Sequence, residues 1–414
     1  MKLFINGSCH CEANEFRVEV DNPSLPVSDS LCHCNVCRHA TGQIAARFAQ
    51  IVGVPLERIY ETGSRGGSEN GDEEDNGSGL KVAITPSSEN GFLAPPVIEI
   101  DYPKDSFNLG GLTAYKSSSD VTRYFCSSCS SHLFRVQHTV HGDRWGVAVG
   151  SLEKGGRVSK ISSHIWVRDT LDGGLADHLT AIDGVRVSRY EGALGSKELR
   201  HPWKHDSLLS TSQSSGNDSL KARCHCGSIQ FTITRPSEAS FEPFAPFPDL
   251  LFSHLYSHLS KISNPKDTKW WLCPAASPNP SKYLAGHCLC NVCRLNSGFA
   301  IQSWAFVPLV NIVQGDSSNP LSLDDGDGRP MHLKQYITST GNYREFCDIC
   351  GATAFSWQAA VPSLISVSVG LLDEAENGAR AENWLEWHKT RIGFQESAQD
   401  QSLARGLLEG LAQA

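Results

Sequence analysis

Fourteen of the 15 cysteines in this 414-residue chain fall into short clusters whose spacing suits a metal ion. The chain carries the motifs CxC, CxCxxC and CxxC, and it then carries all three again in the same order. Cysteines one or two residues apart can reach one ion, and thiolate is a preferred ligand of zinc. The clustered positions are Cys9, Cys11, Cys32, Cys34, Cys37, Cys126 and Cys129, and then Cys224, Cys226, Cys288, Cys290, Cys293, Cys347 and Cys350.

Seven cysteines in each repeat divide into four that could close one site and three that could leave another site open. A CxC pair and a CxxC pair together make a four-thiolate site, the usual structural zinc. A CxC pair on a β-strand would direct both sulfurs to one face. We predict the closed sites at Cys9, Cys11, Cys126 and Cys129, and at Cys224, Cys226, Cys347 and Cys350.

The remaining cysteines form one triplet in each repeat. Three protein ligands with a free fourth position are typical of a reactive zinc. Spacing alone leaves other partitions open, because a triplet sulfur could exchange with one from a pair. It also leaves open that both ions are structural. The predicted catalytic ligands are Cys32, Cys34 and Cys37, and Cys288, Cys290 and Cys293.

The flanking residues repeat as well, so the chain is a tandem duplication. CHCNVCRHATG at 32–42 matches CLCNVCRLNSG at 288–298, and RYFCSSCSSHLF at 123–134 matches REFCDICGATAF at 344–355. We predict a first domain at 1–205 with a disordered acidic insert at about 63–96, a Ser-rich linker at 206–220, a second domain at 221–396 with an aromatic insert at about 238–283, and a C-terminal helix at 397–414.

The elements that must position these cysteines are predicted to be mainly short strands. Segments such as FRVEV at 16–20, SIQFTIT at 228–234, RWGVAVG at 144–150 and LISVSVG at 364–370 alternate or are rich in β-branched residues. Helical periodicity occurs in two places: Leu251, Leu255, Leu259 and Ile262 in the aromatic insert, and Leu403, Leu407 and Leu411 at the C-terminus. We expect a mainly β fold with short peripheral helices.

The order CxC, CxCxxCRxxxG, aromatic-CxxC and then a GxL(D/E) segment resembles the glutathione-dependent formaldehyde-activating family, which includes centromere protein V. The resemblance implies two tandem zinc-anchored β-tent domains. It also implies structural zinc at the CxC and CxxC pairs, catalytic zinc at the triplet, and up to two zinc ions per domain. The first repeat departs from the family pattern, with Glu12 where the second has Gly227 and Ser130 where the second has Gly351.

The resemblance implies a carbon–sulfur lyase related to S-(hydroxymethyl)glutathione synthase, which adds a glutathione-like thiol to a formaldehyde-like aldehyde or reverses that addition. Glutathione is then a co-substrate, and the partners are a small thiol and a small aldehyde. Two alternatives remain: a non-catalytic zinc scaffold that binds a protein partner through the aromatic insert, and an enzyme acting on a different glutathione conjugate.

Charged and histidine side chains near the triplets offer further candidates. Three thiolates on Zn²⁺ leave one net negative charge, so Arg38 and Arg294, which follow the last ligands, could balance the site or hold a glutathione carboxylate. A surface arginine packing over the zinc site is the alternative. His33 and His39 lie close to the first triplet, but neither has a counterpart in the second repeat, which favours an open fourth position.

Composition excludes several classes of protein. The net charge is −9 and basic residues are scattered, which argues against nucleic acid as a partner. No stretch of about 18 apolar residues predicts a membrane span, and the first residues lack the apolar core of a signal peptide. We therefore expect a cytoplasmic protein, with the nucleus not excluded, whose cysteines are reduced and free to bind metal.

Overall fold

The computed structural model describes residues 3–20, 25–58, 111–210, 219–275, 277–315, 319–324, 326 and 328–414. These residues form a mostly β protein with few and short helices, as the sequence predicts. The predicted disordered insert at 63–96 lies outside the described residues, as does 211–218 of the predicted linker.

A five-stranded antiparallel sheet, in the order β4-β9-β8-β7-β6, is the centre of the first repeat. Beside it lie an antiparallel sheet, β1-β2-β5, and a parallel sheet, β13-β10-β3. The strands are β1 (Leu3–Ser8), β2 (Glu15–Val20), β3 (Val27–Cys32), β4 (Phe48–Gln50), β5 (Val52–Glu57), β6 (Leu112–Ser118), β7 (Val121–Cys126), β8 (His132–Thr139), β9 (Gly142–Ala148), β10 (Ser159–Ile165), β11 (Ala181–Ile182), β12 (Val185–Arg186) and β13 (Ser188–Arg189).

The second repeat uses the same strand order and extends it. Its strands β18-β23-β22-β21-β20 correspond to the five-stranded sheet, and β14-β15-β19 corresponds to the smaller antiparallel one. The strands are β14 (Ser219–Arg223), β15 (Gln230–Thr234), β16 (Leu272–Cys273), β17 (Lys282–Cys288), β18 (Gln302–Pro308), β19 (Ile312–Gln314), β20 (Leu333–Ser339), β21 (Asn342–Cys347), β22 (Thr353–Gln358), β23 (Val361–Ser368) and β24 (Leu385–Trp387).

The α-helices are short apart from the last one. They are α1 (Asn35–Thr41), α2 (Gly155–Val158), α3 (Asp206–Ser210), α4 (Leu259–Ile262), α5 (Asn291–Ser297), α6 (Glu374–Asn377) and α7 (Gln401–Gln413). Single 3-10 turns include Val149–Ser151 and Val369–Leu371, which occupy equivalent places in the two repeats. The predicted C-terminal helix is confirmed as α7, whose leucine stripe is buried.

The helix predicted along the leucines of the aromatic insert is wrong. Only the four residues of α4 are helical there, and the side chains of Leu255 and Leu259 are 66% and 84% exposed. The Asp249 carboxylate accepts the backbone N–H of His254 at 2.8 Å and also binds Arg391 at 2.7 Å. These side-chain bonds stabilise a loop here, and they take the place of the backbone hydrogen bonds that a helix would form. Trp270 and Trp271 of the same insert are buried, as expected.

The two repeats interlock through equivalent turns. Nearly all described residues of both repeats lie in one compact unit. The backbone N–H of Gly150 donates to the carbonyl of Gly298 at 2.9 Å, and the Ser368 hydroxyl donates to the carbonyl of Gly42 at 2.8 Å. The end of α1 therefore contacts the second repeat, and the end of α5 contacts the first. The predicted domain boundaries remain a prediction.

Glycine at the end of the CRxxxG motif is required by this contact. Gly42 and Gly298 follow α1 and α5 in the left-handed conformation, with φ of +76° and +82°. A Cβ atom on Gly42 would lie 2.1 Å from the carbonyl oxygen of Thr353, and one on Gly298 would lie 2.0 Å from that of His132. A side chain at either position would therefore separate the repeats.

Candidate metal centres

Two groups of four cysteines meet where the sequence predicts closed sites. Within each group all four sulfurs lie within 4.8 Å of one another. Neighbouring Sγ atoms are 3.3–3.6 Å apart, close to the edge of roughly 3.8 Å that a tetrahedron of zinc–sulfur bonds requires. The donor set and its spacing therefore fit zinc. The groups are Cys9, Cys11, Cys126 and Cys129, and Cys224, Cys226, Cys347 and Cys350.

The CxC pairs of these groups lie in hairpin turns, so the expectation that they lie on strands is wrong. Cys9 and Cys11 follow the end of β1, and the turn is closed by a bond from the N–H of Glu12 to the carbonyl of Cys9 at 3.2 Å. The backbone N–H of Asn14 points at the Cys9 sulfur at 3.4 Å. The turn, rather than strand alternation, brings the two sulfurs to one side.

The two triplets also come together, each at the junction of a strand and a helix. Cys32 ends β3, Cys34 caps the N-terminus of α1, and Cys37 lies in its first turn. Cys32 Sγ is 3.4 Å from both other sulfurs. Cys288, Cys290 and Cys293 form the same arrangement at β17 and α5. Within the part of the chain that the structure describes, neither triplet has a fourth Cys, His, Asp or Glu ligand atom in its group.

The two histidines beside the first triplet bond elsewhere. Nε2 of His33 lies 2.9 Å from Nδ1 of His164, and Nδ1 of His39 lies 2.8 Å from the carbonyl oxygen of Arg223. The second nitrogen of His39 faces Glu374 at 3.3 Å. Neither side chain contributes a ligand atom to the cysteine group.

Arg38 and Arg294 lie buried between the repeats. Nη2 of Arg38 donates to the carbonyl of Leu372 at 2.9 Å, and Nη1 of Arg294 donates to the carbonyls of Gly150 and Leu152. Both arginines therefore hold the GxL(D/E) segment of the opposite repeat. These bonds account for their place in the motif without a substrate carboxylate, so their predicted substrate-binding role gains no support from the geometry.

A different arginine contacts each triplet, and the sequence analysis missed it. Nη2 of Arg123 donates to the Cys37 sulfur at 3.2 Å, and Nη2 of Arg344 donates to the Cys293 sulfur at 3.1 Å. Both side chains are buried. In the sequence, this arginine is recognisable because it occurs in both repeats three residues before the CxxC motif, in RYFC and REFC.

The electrostatics of the triplets follow the same pattern in the two repeats. Hydrogen bonds from Cys32 and Cys34 hold the pKa of the Cys37 thiol well below its usual range, and the charges of Arg123 and Arg135 lower it further. In the second repeat, hydrogen bonds from the neighbouring thiols lower the pKa of Cys293, and Arg344 lowers it further. A nearby cation and a thiol hydrogen bond both favour the thiolate, which is the form that binds metal.

Comparison with known families agrees with the cysteine pattern. The family model described as glutathione-dependent formaldehyde-activating enzyme matches residues 4–80 and 276–387, so both repeats are represented. The matched residues include both triplets. Neither the curated proteins nor the solved structures give a match. None of the helices in the described ranges has the length and apolar character that crossing a membrane requires.

Proposed function

We propose, from the premise that this chain belongs to the glutathione-dependent formaldehyde-activating family, that it is a zinc-dependent carbon–sulfur lyase. It adds a glutathione-like thiol to a formaldehyde-like aldehyde, or reverses the addition. The S–C bond forms while the thiol proton passes to the carbonyl oxygen, so no oxidant is needed. The observation that carries the proposal is a triplet of thiols with no fourth side-chain ligand among the described residues and a buried arginine on its third sulfur.

The triplets would hold the reactive zinc and the four-cysteine groups the structural zinc. Zinc with three protein thiolates can bind a substrate thiol in its fourth position and keep it ionised at neutral pH. The cysteines proposed for this role are Cys32, Cys34 and Cys37, and Cys288, Cys290 and Cys293.

Arg123 and Arg344 supply the positive charge beside each triplet. The sequence had predicted Arg38 and Arg294 for this role. A charge-assisted hydrogen bond to a buried sulfur is stronger than one in water, because the surroundings screen it weakly. Arg123 also draws electron density from Cys37, and this offsets the negative charge that three thiolates bring to the site. We expect this bond to help the site accept a further thiolate.

The helix at each triplet contributes in the same direction. The Cys34 sulfur accepts the backbone N–H of Cys37 at 3.4 Å, and the Cys290 sulfur accepts that of Cys293 at 3.2 Å. The N-terminus of a helix favours negative charge. The closed four-cysteine groups join the CxC turn to the turn that follows β7 or β21, so they hold the frame on which the triplet rests.

A non-catalytic scaffold is the second candidate function, and one observation favours it. The aromatic insert exposes apolar side chains, with Phe244, Leu255, Tyr256 and Leu259 between 56% and 84% exposed. Exposed apolar groups of this kind are typical of protein contacts. A scaffold would bind zinc equally well, so metal content alone does not separate it from an enzyme.

The proposal is tested by zinc analysis and by the rate of the thiol–aldehyde addition. The intact chain should hold four zinc ions and should accelerate exchange between glutathione and formaldehyde, measured by exchange NMR against the uncatalysed reaction. The Cys34→Ala/Cys290→Ala variant should stay folded, hold two zinc ions and lose the acceleration. In the Cys347→Ala variant three thiolates remain at a closed site, so the second repeat should lose stability.

Cys273→Ala is the matched control, because Cys273 lies outside all four groups. It should keep four zinc ions and the full rate. An intact, fully zinc-loaded chain that gives no acceleration would contradict the enzyme hypothesis and favour the scaffold. Acceleration of other glutathione adducts, but not of formaldehyde, would identify a related enzyme with a different electrophile.

A further inference from the structure

A cleft lies on equivalent strands of each repeat, but the two clefts differ in size and charge. The first, on β4, β8 and β9, encloses about 530 Å³ and is lined by Phe48, Gln50, Arg135, Gln137 and Arg144 among others. The equivalent cleft of the second repeat encloses about 150 Å³. Sites for small molecules typically enclose about 300–1,000 Å³, so only the first has the volume of a ligand site.

The aromatic insert accounts for the smaller second cleft. Residues 245–248 and Trp270 form one side of it. The ring of Trp270 meets that of Phe306 edge to face, with 5.0 Å between the centroids. Phe306 is the equivalent of Gln50, which lines the first cleft. The insert therefore occupies space that the described residues of the first repeat leave open.

The first cleft carries two arginines that the second lacks. Arg135 and Arg144 line it, and the repeat alignment places Ser356 and Leu364 at these positions in the second cleft. The acidic residue among the described lining residues is Asp29, whose carboxylate pairs with Arg47. The charge facing the first cleft is therefore positive.

The cleft adjoins the first triplet through Phe48. Its ring packs with the apolar cluster that contains Cys37, and it also lines the cleft. The guanidinium carbons of Arg123 and Arg135 lie 5.7 Å and 5.9 Å from the centroid of this ring. The arginine on the Cys37 sulfur and the arginine in the cleft therefore flank the same aromatic side chain.

We propose that the first repeat alone receives the thiol substrate, whose carboxylates bind Arg135 and Arg144 in this cleft. Guanidinium groups match carboxylates in both charge and hydrogen-bond geometry. The substrate class is a small thiol with more than one carboxylate. This inference rests on the proposed function for the identity of the reacting group. The second repeat, whose cleft is narrowed by its insert, serves as the partner that completes the fold.

The test is calorimetric titration of the zinc-loaded full chain with glutathione. We expect one glutathione per chain. The Arg135→Ser/Arg144→Leu variant, which copies the second cleft, should bind roughly tenfold more weakly or worse. Arg168→Ser/Arg186→Ser removes the same charge from exposed positions outside the cleft and should bind like the intact chain. Arg135→Lys/Arg144→Lys should recover part of the affinity.

Glutathione diethyl ester lacks free carboxylates but keeps the thiol, so it distinguishes the contribution of the thiol to binding from that of the carboxylate charge. It should bind the intact chain and the Arg135→Ser/Arg144→Leu variant equally. Two glutathiones per chain, no glutathione binding, or unchanged binding by that variant would each overturn the inference. The proposed reaction can fail separately: arginine-dependent binding without acceleration supports the cleft and rejects the reaction, whereas acceleration with unchanged binding does the reverse.

Discussion

The two repeats share the glycines and arginines that join them and differ most in the clefts that face outward. Both have the same order of strands, the same cysteine groups and the same glycine after the triplet helix. The first has a cleft of about 530 Å³ with two arginines, whereas the second has about 150 Å³ behind an aromatic insert. The shared residues are therefore those that join the repeats and group the cysteines, whereas the residues that line the clefts differ.

Each closed cysteine group also contacts the opposite repeat. His10, between Cys9 and Cys11, lies with Nδ1 2.8 Å from the hydroxyl of Tyr336. His225, in the equivalent place of the second repeat, lies 2.6 Å from the hydroxyl of Tyr115. The pairing is reciprocal, so the repeats have the relation of two subunits in a symmetric dimer. Each repeat therefore depends on the other to cover the surface around its closed cysteine group.

The glycines at the interface give the largest expected effect. Gly42→Ala or Gly298→Ala would place a Cβ atom about 2 Å from a carbonyl oxygen of the opposite repeat. The repeats would have to separate, so we expect a loss of about 4 kcal/mol or failure to fold. Thermal unfolding at fixed zinc measures the effect. Equal losses for the two variants would support the equivalence of the two contacts.

Gly184→Ala is the matched control for the backbone. Gly184 has φ of +74°, like Gly42, but no described atom lies within 4 Å of the position that a Cβ atom on it would take. The left-handed conformation alone costs about 1–2 kcal/mol for a residue with a side chain. If the Gly42 variant loses no more unfolding free energy than the Gly184 variant, the interface adjusts freely to the added side chain. The contact between the repeats would then be unimportant for stability.

The second-largest expected effect is a loss of stability at low pH. It is caused by a buried histidine of the first repeat, which is a different residue in the second. Burial, with the positive charge of Arg123, lowers the pKa of His132 to about 3, and Thr353 stands at the equivalent position. Below its unfolded pKa of about 6.5 the unfolded chain binds a proton that the folded chain rejects, so stability falls as pH falls. Between pH 7 and 5 the loss is on the order of 2 kcal/mol.

His132→Thr should remove this part of the acid sensitivity. The stability lost between pH 7 and 5, from unfolding curves at both values, should be smaller in the variant. Protonation of cysteines affects both proteins alike and cancels in the difference. If His132→Thr loses as much stability between pH 7 and 5 as the intact chain does, folding does not prevent the protonation of His132.

Cysteine spacing limited the grouping to a few partitions, and the resemblance to the glutathione-dependent formaldehyde-activating family selected the one in which the sulfurs meet. The strands around the motifs were predictable because each has its own alternating pattern. The roles of the arginines were not. Arg38 is adjacent to a ligand in sequence yet reaches the opposite repeat, whereas Arg123 is distant in sequence and contacts Cys37. Contacts of this kind depend on how sheets pack, which local patterns do not encode.

The insert helix failed as a prediction for a related reason. A leucine stripe indicates a helix only when the backbone has no better partners, and there Asp249 accepts a backbone N–H and pairs with Arg391. The stripe at α7 succeeded because Asp400 caps that helix, accepting the N–H of Leu403 at 3.0 Å. The two segments share their periodicity but differ in capping and in the burial of their leucines.

The smallest expected effect lies at the CxC turns, where the repeats differ by one residue. Glu12 has φ of +61° and Gly227 has +79°, and each N–H bonds the carbonyl of the first cysteine of its turn. The left-handed conformation is unfavourable for glutamate and free for glycine. Glu12→Gly should therefore stabilise the first repeat by up to about 1 kcal/mol, and Gly227→Glu should destabilise the second by about the same amount.

Charge would contribute at this turn beside the backbone, because four thiolates around a bound zinc ion would leave two negative charges near the Glu12 carboxylate. Glu12→Gln separates the two causes, since it removes the charge and keeps the strained backbone. Thermal unfolding of both variants at the same zinc concentration measures the difference. If Glu12→Gly gains more stability than Glu12→Gln, the difference between the two gains is the contribution of the backbone. Equal gains would make charge, rather than turn geometry, the difference between the two turns.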